Sequence, residues 1–459
     1  MKPAIRLSVL AAALSCTIAT PVVAQDAAAP TAEQSLAEMR AQLAALAARI
    51  DQLEGELAEA KSETATAREE SAAALTAAQT PAPAAKPAAS IAFKGAPEIK
   101  ADGGWSFKPR GRLQYDAGFV SAPESTGRDS GFGNDVRRAR LGVQGDIPGG
   151  FGYKFEVDVA NSDLAVTDAL ISYEHGDFEV SVGQFNNFQS MEELTSSLHT
   201  SFIERAAYTD AFNFIRRVGV GVEYSPGDFL LQAGVFSDNM DDLPTDSWSV
   251  DGRAVYLPKL GNTQLHLGGS LHYREYEAGS TTRYRQRPLV AFTSERFVNT
   301  GNFGIDSETS YGLEGGLVSG PFHAAVEGYW VDTATPGGVD DATFFGGYAE
   351  VGYFLTKGDT RGYKGGTFDR TKPANPVGKG GMGSLQLNLR YDRLDLTDQS
   401  IFGGTQDGYF LSLVWKPTDY TMLLANYGKL DYTGAVHPTA SGDRDYTVDV
   451  VGVRAQVDF

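Results

Sequence analysis

Arginine recurs at every second position in three places: Arg110 and Arg112, Arg138 and Arg140, and Arg283, Arg285 and Arg287. In an extended chain, residues two apart point to the same face, so each set presents a row of guanidinium groups. A guanidinium stays charged, and its planar fork donates two parallel hydrogen bonds to an oxyanion. A row of such groups suits the passage of an anion, because binding must be spread over sites that release the ion again. Asp116, Glu156 and Asp158 occupy inward positions of the same region. The strand arginines could therefore also form the basic side of a transverse charge wall. The row at 283–287 could also be a solvated basic loop tip.

Catalysis has no comparable footing. There is no G-x-S-x-G elbow, and the six histidines carry no acid–base pattern. His175 falls in a turn, while His266, His272 and His323 occupy inward strand positions and read as polar lumen residues. The single cysteine, Cys16, lies in an N-terminal apolar stretch, so no cysteine-based metal site is expected after processing. We expect no catalytic residue, no metal and no cofactor, and do not read the chain as an enzyme.

The elements that must carry the arginines are strands. Phe107, Gly111, Leu113, Tyr115, Ala117 and Phe119 alternate with Lys108, Arg110, Arg112, Gln114 and Asp116. Tyr153, Phe155, Val157 and Val159 alternate with Lys154, Glu156 and Asp158. At the C-terminus Val451, Val453, Ala455, Val457 and Phe459 alternate with Gly452, Arg454, Gln456 and Asp458. Sixteen such strands are predicted, beginning near residues 105, 135, 150, 165, 177, 215, 227, 250, 263, 308, 321, 343, 382, 408, 419 and 447. Connectors after even strands are mostly short turns, as at 146–149, 175–177, 225–228, 319–321 and 416–419. Connectors after odd strands include the longer 120–134, 186–214 and 277–307. That asymmetry is the plan of an outer-membrane barrel with its turns in the periplasm, and a soluble sandwich gives no reason for it. The predicted fold is all-β, a 16-stranded antiparallel transmembrane β-barrel whose lumen holds water. Outer-membrane lipid is then a partner, and the terminal Phe459 is a signal to the barrel-assembly machinery. The turn at 356–381 breaks the short-turn rule.

Composition agrees. Gly (52), Tyr (20) and Phe (25) are abundant in 459 residues, which favours strands and turns over packed helices. A net charge of −19 argues against nucleic acid as a partner. Lys2 and Arg6, an apolar run Leu7–Ala19 and the small or branched residues before Gln25 read as a signal peptide over 1–24. Within 25–79, Leu36, Met39, Leu43, Leu46, Ile50, Leu53 and Leu57 form an a/d seam, predicting a periplasmic coiled coil. Pro81, Pro83 and Pro87 begin a Pro/Ala-rich linker over 80–103, and the barrel domain occupies 104–459.

The order and spacing of several stretches resemble the family of the phosphate-selective porins O and P. They are Gly111–Gln114, Val136–Leu141, Gly183–Phe185, Glu192–Ser197, Ile203–Arg205 and Leu355–Asp359. The resemblance covers 104–459 and implies a homotrimer of barrels narrowed by an inward loop and a long inward turn, here 186–214 and 356–381. It places Arg112, Arg137, Arg138 and Arg205 among the constriction arginines, with Arg140 beside them. Ser196 matches a polar residue of that site. Asp168 matches its acidic member, with Thr167 an equally good alignment. Arg283, Arg285 and Arg287 match an arginine ladder that guides phosphate. One departure stands out: selective members carry Lys two residues before the Thr195-Ser196-Ser197 run, and here that residue is Glu193. The expected function is a loop-constricted channel for small anions, phosphate or polyphosphate among them. The alternatives are a less selective porin passing organic acids or cations, and a mainly structural envelope protein.

Overall fold

The computed structural model describes residues 32–78, 89–162, 164–337 and 341–459. The expected signal peptide (1–24) and the prolines at 81–87 lie outside the described residues. Two units are distinct, one holding the N-terminal helix and the other everything from Pro87 onward.

The helix α1 runs Ala32–Ala78, built mostly from Ala, Leu, Glu, Gln, Lys and Arg, all good helix formers. Its a/d residues Leu36, Met39, Leu43, Leu46, Ile50, Leu53 and Leu57 are all exposed in the single chain.

The second unit is a closed antiparallel barrel of 16 strands. They are β1 Trp105–Ser121, β2 Gly131–Ile147, β3 Phe151–Asp158, β4 Ala165–His175, β5 Phe178–Asn186, β6 Arg216–Tyr224, β7 Phe229–Phe236 and β8 Trp248–Tyr256. The second half is β9 Thr263–Glu275, β10 Ser307–Ser319, β11 Phe322–Ala334, β12 Ala342–Phe354, β13 Ser384–Asp398, β14 Ile401–Thr418, β15 Thr421–Thr433 and β16 Tyr446–Asp458. Each strand pairs with the next, and β16 returns to β1 from Asp458↔Arg112 to Asp449↔Ser121. Gly111 and Phe459 exchange both backbone hydrogen bonds at the end of that seam (3.0 and 3.1 Å).

Period two decides which way side chains point. On β1, Leu113, Tyr115 and Phe119 face out and are exposed, whereas Arg112, Gln114 and Asp116 face in and are buried. Aromatic pairs ring the outer wall near the short turns (Phe151–Tyr173, Phe178–Tyr224, Phe229–Tyr256) and again near the opposite rim (Phe119–Phe132, Trp248–Tyr273, Trp330–Phe345, Tyr391–Tyr409). Two aromatic girdles bounding an apolar band are the mark of a barrel seated in a bilayer.

Two segments differ from expectation. Residues 89–101, expected as part of a linker, form a hairpin of Ala89–Lys94 with Ala96–Ala101, and Ile99–Ala101 extends the sheet onto β1. Ile91 and Phe93 alternate with smaller or polar residues, and Gly95 at φ 84° makes the turn, so local patterning overrides the Pro/Ala composition. Strand β14 starts at Ile401 rather than near Gly408. Leu394, Leu396 and Ile401 are buried there, and pairing Thr397↔Phe402 beyond a bulge carries β13 and β14 up to a two-residue turn.

Residues 187–215 fold into the barrel, with the one-turn helices α2 Met191–Leu194 and α3 Ala207–Ala211. The main buried apolar cluster is therefore inside the lumen. It joins Met191, Phe202, Ile203 and Tyr208 of this loop to Tyr329, Tyr348, Phe410 and Val450 of the wall. The long turn also folds inward: Arg361 donates to Ser201 Oγ and the His199 carbonyl, and Phe368 N donates to Thr195 Oγ1 (3.3 Å).

Candidate functional site

Two β-bulges set the geometry of the arginine wall. Pairing of β1 with β2 passes from Gln114↔Arg138 to Tyr115↔Val136, leaving Arg137 as the extra residue. A bulge re-aims a side chain that strict alternation would send outward. Consecutive Arg137 and Arg138 therefore both serve the lumen. The same happens between β3 and β4, where Glu156↔Asp168 is followed by Val157↔Val166 and Thr167 is the extra residue. Thr167 and Asp168, the two alternative alignments, are both buried on the inner side.

The arginines divide by whether a carboxylate answers them. Arg137 makes a two-pronged bond to Glu204 (2.7 and 3.0 Å), which also takes Arg454 (3.1 Å). Arg140 bonds Asp158 (2.8 Å) and Glu156 (3.2 Å). Arg112 donates to Ser197 Oγ (2.7 Å) and lies 3.8 Å from Glu156. Asp168 is occupied by Lys154 (2.8 Å) and Arg216 (3.0 Å). Arg138 is different. It donates to Gln114 Oε1 (3.0 Å), is 7% exposed, and has no carboxylate within ion-pairing distance among the described residues. Arg110, bonded to Gln144, likewise lacks an acidic partner.

The loop contributes Arg205, Glu193 and Ser196. Arg205 closes the C-terminal end of α2 by donating to the carbonyls of Glu192, Glu193 and Thr195 (2.9, 3.0 and 2.7 Å). Its remaining nitrogen sits 3.3 Å from the Glu193 carboxylate. Glu193 thus stays in the lumen, paired. Glu192 turns to the wall and meets Arg390 (2.9 Å). Ser196 lines the cavity, but the hydroxyl that bonds an arginine is that of Ser197.

Three cavities follow one another along this wall. The first, about 300 Å³, is lined by Arg137, Arg138, Arg140, Arg205, Arg216 and Arg287 with Glu193, Glu204, Asp210 and Asp241. It shares Arg140, Arg205 and Arg216 with the second, about 280 Å³, where six cations (Arg110, Arg112, Arg140, Lys154, Arg205, Arg216) face two carboxylates (Glu156, Asp168). The third, about 630 Å³, shares Arg110, Arg112 and Glu156, and opens toward Lys108, Lys364, Arg370 and Lys372 beside Phe459.

Arg283, Arg285 and Arg287 come together in the loop 276–306. Burial and the neighbouring Arg283 and Arg287 depress the pKa of Arg285. Arg296 joins them, its pKa lowered to about 10 by burial and by Arg287, Arg285 and Arg283. Asp210, 3.7 Å from Arg287, is the one carboxylate paired with these four among the described residues. Periodicity missed Arg296 because it lies on the returning arm, near Val298–Asn299 that pairs with Arg285–Gln286. It missed Arg216 because that residue opens a strand whose inward phase belongs to Arg217.

Residues 107–459 match the family described as phosphate-selective porin O and P. The chain is 47% identical over 401 residues to an uncharacterized protein of Caulobacter vibrioides, covering 84% of this chain and 80% of that one. In fold it is similar to an outer membrane protein of Vibrio cholerae, OmpT, in a loop-L8 deletion mutant (TM-score 0.51, 13% identity) and in an in-vitro folded trimer form (TM-score 0.51, 12% identity). Each alignment covers 78% of this chain and 100% of the other. The chain belongs to the porin O and P family and is a porin of the outer membrane.

Proposed function

We propose that the barrel conducts small anions, phosphate among them, through a constriction made by β1–β4 and the loop 187–215. The observation that carries this reading is the second cavity, where six cations face two carboxylates in a chain whose net charge is −19. Permeation samples the local field of the pore rather than the charge of the whole surface. A buried cation without a carboxylate is an uncompensated charge that an entering anion can neutralise. Arg138 holds such charge in the wall, half-buried Arg110 adds a second cation without an acidic partner among the described residues, and Arg283, Arg285, Arg287 and Arg296 gather anions above them.

Phosphate is a weakly held substrate in this reading. The ammonium that the family resemblance implies is replaced by Glu193, which takes up part of the charge of Arg205. At about 4 Å and an effective dielectric near 20, a unit charge is worth roughly 4 kcal/mol. Glu193 and Asp210 are also what favours the second reading, a less selective channel that passes cations as well as organic acids. Planar-bilayer reversal potentials with chloride, phosphate and potassium test the proposal.

The chain acts as a homotrimer in this account, processed at its N-terminus and with α1 in the periplasm. The V. cholerae neighbour in trimer form and the unburied heptad seam of α1 support it. Crosslinking with and without residues 31–79 tests the helix's part in assembly.

A further inference from the structure

The loop 187–215 crosses the lumen without strand partners, so the wall must hold it in place. Wall side chains do this by accepting its backbone N–H groups. Asn426 Oδ1 takes Ile203 N (2.6 Å), and Asp392 Oδ2 takes Ala207 N (2.8 Å). Glu327 on β11 does more. Its Oε1 accepts from Glu192 N (2.7 Å) and the Tyr348 hydroxyl (2.9 Å). Its Oε2 accepts from Ser190 Oγ (2.9 Å) and Met191 N (3.0 Å). Four donors saturate a carboxylate. Glu327 is 5% exposed and has no cation within ion-pairing distance among the described residues, so these four hydrogen bonds alone satisfy it.

The held segment leads straight into the pore. Helix α2 is a single turn, too short to form unaided. Ser190 caps it by accepting from Glu193 N (3.3 Å) while bonding Tyr208 (2.8 Å) and Glu327. One carboxylate therefore fixes the cap hydroxyl and the first two amides of the turn. That turn aims Glu193 into the first cavity and presents Leu194, Ser196 and Ser197 to the second.

We infer that Glu327 is a positioning residue for permeation: it holds the first turn of the constriction loop, and so sets the aperture and the place of the Glu193–Arg205 pair. The inference rests on the proposed reading of a loop-constricted anion pore. Geometry of this kind must be held to a fraction of an ångström to be selective.

The test is single-channel recording of purified full-length Glu327→Ala, Glu327→Gln and Ser190→Ala, with heat-modifiable gel migration reporting the folded barrel. Glu327→Ala removes every acceptor and is expected to change unitary conductance by about twofold or more, with added open-channel noise and a reversal potential moved toward zero. Glu327→Gln keeps one acceptor oxygen and is expected to fall between it and the wild type. Ser190→Ala removes the cap together with its bonds to Tyr208 and Glu327, leaves the two backbone amides on Glu327, and is expected to raise noise. Should Glu327→Ala fail to fold, the graded effects of the other two still support the inference. Folded variants with conductance, noise and reversal potential equal to wild type would overturn it. A wild-type channel without anion preference defeats the proposed function instead, while a conductance change on Glu327→Ala would still stand.

Discussion

Arg205 Nη1 lies 3.3 Å from Glu193 Oε2, at the boundary shared by the first two lumen cavities. The pair places a carboxylate where the family resemblance implies an ammonium, and half-spends the loop's own cation. Glu193→Lys is therefore expected to strengthen phosphate binding. A gain of even about 1.4 kcal/mol, about a third of the scale for one unit charge, is tenfold in affinity. The check is phosphate inhibition of chloride current, with half-block expected at about tenfold lower phosphate. Glu193→Gln should move it the same way by less.

Arg137 and Arg138 are neighbours in sequence with opposite expected roles. Arg138→Ala removes a buried charge that no carboxylate answers, so anion permeability should fall while thermal stability of the barrel changes little. Arg137→Ala strips Glu204 of its two-pronged partner and leaves it with Arg454. That variant should lose stability, by up to about 3 kcal/mol, and shift selectivity toward cations. Thermal melts and reversal potentials of the two variants separate these outcomes.

In the proposed reading, the row Arg283, Arg285 and Arg287 acts at a distance, by raising anion concentration at the mouth. Replacing all three with alanine should cut chloride conductance at about 0.1 M salt, where the Debye length is near 10 Å, and have little effect at about 1 M, where it is near 3 Å. Equal losses at both concentrations would mean that these residues line the narrowest section instead.

The closing seam carries a ring over a glycine. A Cβ on Gly111 would lie 2.1–2.7 Å from ring atoms of Phe459, so the terminal ring occupies the space above a glycine. Gly111→Val should displace the ring and lower the yield of heat-modifiable barrel. Phe459→Ala in the same chain should relieve the clash without restoring the terminal aromatic.

The barrel was legible because period two exposes itself in any strand with one face in lipid and one in water. Sixteen strands can be placed from alternation and connector lengths, the short-turn and long-loop asymmetry makes them a barrel, and alternation then assigns Arg112, Arg138 and Arg140 to its lumen. Arg137 could not be assigned this way, since a bulge depends on pairing with a neighbouring strand. The family resemblance supplied it. Thr167 and Asp168 stayed ambiguous for the same reason, and the bulge turns both inward. Residues 89–101 carry only the short Ile91/Phe93 alternation as a strand signal, and the Pro/Ala composition around it hides the hairpin. Glu327, Asp392 and Asn426 carry no local signal as loop anchors: their partners lie 135, 185 and 223 residues away.

The most direct test of the account is the zero-current potential of the reconstituted wild-type channel across a potassium chloride gradient. The account predicts the sign of chloride preference, lost progressively in Arg110→Ala and Arg138→Ala. A potential of the potassium sign, unchanged by those substitutions, would contradict it.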